Sequence, residues 1–192
     1  MRSDTVPGGH TSVSGLEDGI DHVRGLDSAP VVLEYGDYEC PYSRQAFRAI
    51  EQVERQLQGG IRFAFRHFPL TEIHPHALAA ATAVEAAALQ GRFWQMHDLL
   101  FHHQHALEDG DLRTYAAELG LDEAQFEPDR AGGVTLARVQ RDVESGEATG
   151  EVAGTPTLFI DGVVHRGAYD TSTLLEALGR GSSIESFREP VR

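Results

Sequence analysis

Cysteine is almost missing from this chain. Cys40 is the single thiol in 192 residues, so no internal disulfide can close and any sulfur chemistry needs a partner from outside. Secreted domains of this size more often carry structural bridges, so one free thiol fits a reducing compartment. Positive charge is also scarce, with 16 Lys and Arg against 30 Asp and Glu and a formal net charge of −14. Nucleic acids and anionic membranes are met by basic patches, so neither is an expected partner. No stretch approaches the roughly 20 apolar residues of a membrane span. Residues 1–19 are rich in Gly, Ser, Thr and Asp and lack the apolar run of a signal peptide. The expectation is a disordered tail over 1–20 and a cytoplasmic address. There is no internal repeat, and no glycine cluster has phosphate-loop spacing.

What is present is enough for one sizeable core, with hydrophobic residues making up 41% of the chain. The lone cysteine lies where an apolar strand, Val31-Val32-Leu33-Glu34-Tyr35-Gly36, gives way to a helix. Pro41 suits a first helical position, and Phe47, Ile50, Val53 and Leu57 recur at near-helical spacing until Gly59-Gly60. Cys40 is thus the expected N-cap, partly exposed. The unpaired amides and positive dipole end of the helix would favour its thiolate and lower its pKa. Against this stands the ordinary behaviour of free cysteine, a small buried hydrophobe.

Gly36-Asp37-Tyr38-Glu39-Cys40-Pro41-Tyr42-Ser43, together with Gly154-Thr155-Pro156-Thr157-Leu158-Phe159-Ile160, resembles the DsbA-like thiol:disulfide oxidoreductases of the thioredoxin fold. His74-Pro75-His76-Ala77, the alanine-rich stretch after it and Gly91-Arg92-Phe93-Trp94 through Phe101 resemble that family's helical insertion. The likeness covers about residues 21–178. It departs at Ser43, where dithiol members have a second cysteine, so donation of an intramolecular disulfide is not implied.

The expected fold class is α/β, a thioredoxin-like fold with an inserted all-helical subdomain. Its core spans 21–73 and 151–178, its insertion 74–150, and a C-terminal tail 179–192. Residues 21–25 can add an edge strand, and 61–68 read as a strand parallel to the first through a helical crossover. Helices are expected over 77–90, 93–103, 112–119 and 134–147, with a further one opened by an Asp122/Gln125 capping box. Asp161-Gly162 between 157–160 and 163–166 is a type I′ hairpin signal. A last helix over 173–178 follows an Asp170 or Thr171 cap.

By position alone Thr155-Pro156 is a strand start with a trans bond. The resemblance implies a cis bond lying against Cys40, with Pro41, Thr155 and Pro156 contacting an extended substrate or glutathione. Glu34 is an acid in an apolar strand, costly unless paired or protonated. It resembles the family's buried acid, which moves protons to and from the sulfur, with Arg66 or His67 as available partners. Ser43 can donate a hydrogen bond to the thiolate, and Tyr42 is neutral, while Asp37 and Glu39 oppose thiolate formation. Among the ten histidines, His97, His102, His103 and His105 lack the i, i+4 ligand pair and His74 with His76 lacks a third ligand, so no metal is expected.

These residues point to a monothiol oxidoreductase acting on protein or glutathione mixed disulfides through Cys40. It would hold no bound cofactor, with glutathione or another small thiol as co-substrate and an oligomeric state the sequence leaves open. Two alternatives stand beside it: an enzyme like the kappa-class glutathione transferases, which place serine where Cys40 stands, and a non-catalytic, chaperone-like peptide-binding module.

Overall fold

The structure is a computed structural model, and it describes residues 15–185. The expected tail segments 1–14 and 186–192 lie outside the described residues. Five strands form one mixed sheet in the order β1-β3-β2-β4-β5. They are β1 (His22–Gly25), β2 (Val31–Gly36), β3 (Arg62–His67), β4 (Thr157–Ile160) and β5 (Val163–Val164). β2 and β3 are parallel and joined by α1 (Pro41–Leu57), as a crossover connection requires. The other three pairings are antiparallel.

Strand alternation sorts the core onto two faces. Val32 on β2, Phe63 and Phe65 on β3 and Leu158 and Ile160 on β4 meet α1 through Phe47, Ile50 and Val53. Burial of each such side chain contributes about 1.5–3 kcal/mol. The same face receives α7 (Thr171–Glu185) through Leu174 and Leu178. Leu33, Tyr35, Ala64 and Phe159 point the other way and are covered by Val143 of α6 (Gly133–Thr149) and by Val152. The absence of a Cβ at Gly146 lets α6 lie close, since one there would sit 3.1 Å from both the Tyr35 and Phe68 rings.

The insertion holds α2 (Ala77–Leu89), α3 (Phe93–His102), α4 (Asp109–Glu118), α5 (Glu123–Arg130) and α6. Small alanines bury nearly every side of α2, which is the hub against which α3, α5 and α6 pack. The Asp122 side chain accepts from the amides of Ala124 and Gln125, but the return half of a capping box is not made; the Gln125 side chain donates instead to Asp129. α4 carries the reciprocal box, between Glu108 and Asp111.

Two further differences from expectation have simple causes. The hairpin turn has positive φ at both Asp161 (47°) and Gly162 (80°), as type I′ demands. β5 nevertheless ends at Val164; His165 still donates its amide to the Leu158 carbonyl of β4 at 2.7 Å, and Arg166 pairs with Glu151 instead. α7 runs on to Glu185, into the segment expected to be a tail. A glycine such as Gly179 costs a helix only about 1 kcal/mol and does not forbid it, and Asp170 caps the start by accepting from the Thr173 amide at 3.0 Å.

Candidate active site around Cys40

Cys40 is the N-cap of α1, with extended backbone angles (φ −72°, ψ 121°) and Pro41 at the first helical position. Its amide donates to the Asp37 carbonyl at 3.1 Å, so the turn before the helix is closed by the backbone itself. The thiol donates to the carbonyl of Thr155 at 3.2 Å, and the Thr155-Pro156 bond is cis. The sulfur and the start of β4 therefore meet across a separation of 115 residues. Tyr169 extends this wall by donating its hydroxyl to the Pro156 carbonyl at 2.8 Å.

Exposure differs from expectation. Cys40 is only 3% exposed, whereas its neighbour Tyr42 is 64% exposed. The segment 154–156 closes over the sulfur, which a reading of α1 alone leaves open. Ser43 is fully buried, and its oxygen accepts from the Asp37 amide at 3.2 Å. The hydroxyl thus ties the turn preceding the cysteine to the helix, where the sequence suggested a bond to the sulfur.

Glu34 shares the α1 face of the sheet with Val32, because alternation along β2 sends Leu33 and Tyr35 to the other side. Burial pushes its carboxyl from the ordinary 4.5 up to about 8, with Arg24 pulling weakly the other way. Neither expected partner serves it, and both of its oxygens lack a hydrogen bond among the described residues. Arg66 sits opposite Tyr35 in the parallel register, on the far face, where it donates to Tyr35 and grips Asp21 through two bonds of 2.8 and 2.9 Å. His67 is held by Glu85 of α2 at 2.8 Å.

The acids before the cysteine are also balanced, which their sequence proximity to it did not suggest. Asp37 accepts from the amides of Glu39 and Leu70 and pairs with His74 at 2.7 Å. Glu39 accepts from the His76 amide at 2.6 Å and pairs with its ring at 2.9 Å, and that bond raises the His76 pKa above its ordinary value. The two histidines that lack a third metal ligand are thus hydrogen-bond partners of the loop that presents Cys40.

Among the described residues, His67, Glu85 and Asp142 bring ligand-type atoms within 4.8 Å of one another. Glu85 already accepts from both His22 and His67, and Asp142 accepts from the His67 amide and pairs with Arg138 and Arg141. Burial alone would raise the Glu85 pKa, but the two imidazole bonds hold it well below the usual carboxylate range. With two arginines at its edge the cluster works as an ion-paired joint between sheet and insertion.

Sequence reasoning missed Gln104, in the loop between α3 and α4. Its side-chain amide donates to the carbonyls of Tyr38 and Cys40, both at 2.8 Å. One side chain of the insertion thereby fixes the backbone on both sides of Glu39. Replacing it with alanine removes two hydrogen bonds to partly buried carbonyls and should cost about 1–3 kcal/mol by denaturant midpoint. The alkylation rate of Cys40 should change with it, since the sulfur rides on that backbone. Unchanged stability together with an unchanged alkylation rate would show that Gln104 does not hold the loop.

The sheet order, the helical insertion and the cysteine at the first helix make up a thioredoxin-like fold. Residues 17–180 match the thioredoxin family, and the chain belongs to it. Among solved structures it is similar to a thioredoxin-like oxidoreductase from Silicibacter pomeroyi, with TM-score 0.76 and 24% identity over 86% of this chain and 94% of that one. BdbD from Bacillus subtilis superposes with TM-score 0.72 and 22% identity over 88% and 97%. The thiol-disulfide exchange protein alpha-DsbA2 from Wolbachia pipientis gives 0.73 and 20% over 85% and 88%. Curated relatives are closer in sequence and of another kind. The chain is 45% identical over 169 residues to a Na(+)/H(+) antiporter NhaA 1 of Mycolicibacterium vanbaalenii, covering 86% of this chain and 27% of that protein. It is 46% identical over 159 residues to one of Salinispora arenicola, covering 82% and 24%. The chain thus spans about a quarter of the length of these relatives. No helix among the described residues is long and apolar enough to cross a membrane.

Proposed function

We propose that this chain is a monothiol thiol-disulfide oxidoreductase that exchanges protein or small-thiol mixed disulfides through Cys40 in a reducing, cytoplasmic setting. The observation that carries the reading is the 3.2 Å approach of the Cys40 sulfur to the Thr155 carbonyl. An extended substrate lying along 154–156 would bring its own disulfide to that sulfur while the backbone of Thr155 supplies hydrogen bonds.

In the first step the Cys40 thiolate attacks one sulfur of the substrate disulfide. The Cys40 sulfur gains a bond, the substrate S–S bond breaks, and the departing thiolate takes up the proton Cys40 released. The attack starts from the N-terminal end of α1, the end of a helix at which anions are generally favoured. Glu34, kept neutral at pH 7 by burial, is available to exchange a proton as the charge at the sulfur changes. With serine at position 43 no internal thiol can attack the mixed disulfide, so a second, external thiol releases the product and restores Cys40.

Intact-mass spectrometry tests this reading. Native protein incubated with glutathione disulfide should gain one glutathionyl adduct on Cys40 and lose it on addition of reduced thiol. A native chain that stays unmodified would overturn the proposal. A second reading rests on the antiporter relatives, in which this domain would act as a redox module of a sodium-proton antiporter. In a chimera carrying this chain in place of the matched segment, oxidant should then alter sodium-driven proton flux, and Cys40→Ser should remove that response.

A further inference from the structure

All 16 cationic side chains of this acidic protein are arginines. Most of the described ones are paired with carboxylates, as Arg24 is with Glu54, Arg66 with Asp21 and Arg130 with Asp109. Arg44, Arg48 and Arg92 have no such partner among the described residues, and the first two line a single groove. That groove has a volume of about 460 Å3 and begins at Pro41, immediately after the reactive cysteine. Volumes of this order are typical of small-molecule sites.

α1 builds one wall of it. Pro41, Arg44 and Arg48 recur at helical spacing on the side opposite the core residues Phe47, Ile50 and Val53. Gln104 and Tyr169 form part of the facing wall. Both contact the cysteine's surroundings, Gln104 through the Cys40 carbonyl and Tyr169 through the Pro156 carbonyl. The Arg44 Nε is buried and has no acceptor among the described residues. A buried guanidinium N–H is costly to leave unpaired, so it marks a place for an anionic acceptor. One acid, Asp170, also lines the groove, but its oxygens are taken up by Ser172 and Thr173 at the start of α7. Two unpaired guanidinium groups therefore face one carboxylate already in use.

Resting on the monothiol reading above, we infer that this groove binds the carboxylate end of a low-molecular-weight thiol or its disulfide. The disulfide end then reaches Cys40. Arginine matches a carboxylate with two parallel hydrogen bonds. In a chain with net charge −14, a local cationic patch raises the encounter rate of an anionic substrate. The redox step is unchanged: the Cys40 thiolate displaces one half of the small disulfide as a thiol and keeps the other half in a mixed disulfide.

The test compares two disulfides on the same full chain, glutathione disulfide, which carries carboxylates, and bis(2-hydroxyethyl) disulfide, which carries none. The second-order rate of adduct formation at Cys40 is followed by intact mass for wild type, Arg44→Gln, Arg48→Gln, the double variant and Arg92→Gln. The double variant should lose about tenfold or more of its rate with glutathione disulfide and stay within about twofold with the neutral disulfide. Arg92→Gln controls for net charge and should match wild type with both. Equal losses with both disulfides, no loss with either, or a loss in Arg92→Gln as large as in Arg44→Gln would overturn the groove assignment while leaving the monothiol reading in place. Absence of any adduct in native wild type would overturn both.

Discussion

Cys40→Ser should abolish disulfide exchange, leaving no more than the uncatalysed rate, because the chain holds no other sulfur nucleophile. Serine is isosteric and can keep a bond to the Thr155 carbonyl, so the fold and its melting temperature should change little. A residual rate in a well-folded Cys40→Ser protein would assign the chemistry to the co-substrate thiol, as in a glutathione transferase. The complementary change, Ser43→Cys, should create a dithiol. Residues three apart at a helix start have Cα atoms about 5 Å apart, within the range a disulfide spans. The new thiol would replace an oxygen that now accepts from the Asp37 amide, so some stability should be lost in the reduced form. Under oxidising conditions the variant should close an internal bond and turn over without added thiol, which wild type should not do. A folded Ser43→Cys protein that resists oxidation would show that position 43 is turned away from the sulfur.

The second large effect concerns Glu34. In the unfolded chain its carboxyl ionises near 4.5, whereas in the folded protein burial pushes that value up to about 8. Between those values the native state holds a proton that the unfolded state has released, so stability falls as pH rises across this window and levels off above it. Glu34→Gln removes that dependence. Relative to wild type it should gain on the order of 4 kcal/mol between pH 4 and pH 9, read as a difference in denaturant midpoints. The gain should come with slower thiol exchange if the carboxyl moves protons for the sulfur. Parallel stability profiles for the two proteins would mean that Glu34 titrates normally and is solvated.

The sequence made the skeleton of the fold legible because its signals are local. Cys40-Pro41 starts α1, Asp161-Gly162 makes the turn before β5, and the amphipathic spacing of Phe47, Ile50 and Val53 identifies the buried side of α1. Glu34, an acid within an apolar strand, also read as a buried group, and it is 1% exposed. What escaped was contact between distant segments. Nothing near Gln104 marks it as the clamp on a loop 64 residues earlier. The pairing of Asp37 with His74 and Glu39 with His76 joins residues 37 positions apart. The two partners offered for Glu34 failed for a readable reason in the case of Arg66, because parity along β3 places it on the opposite face. His67 failed for one that no local rule contains, the arrival of Glu85 from the insertion.

The contacts at Cys40 also order events in time. Its backbone is set by residue 104 and its sulfur by residue 155, so the site draws on three stretches of chain made at different moments. A polypeptide emerging from the ribosome carries this thiol well before either partner exists, and long-range closures of this kind form late. Until β4 has paired with β2, the Thr155 carbonyl that holds the Cys40 sulfur is not in place, so the position of the thiol is settled only in the finished fold.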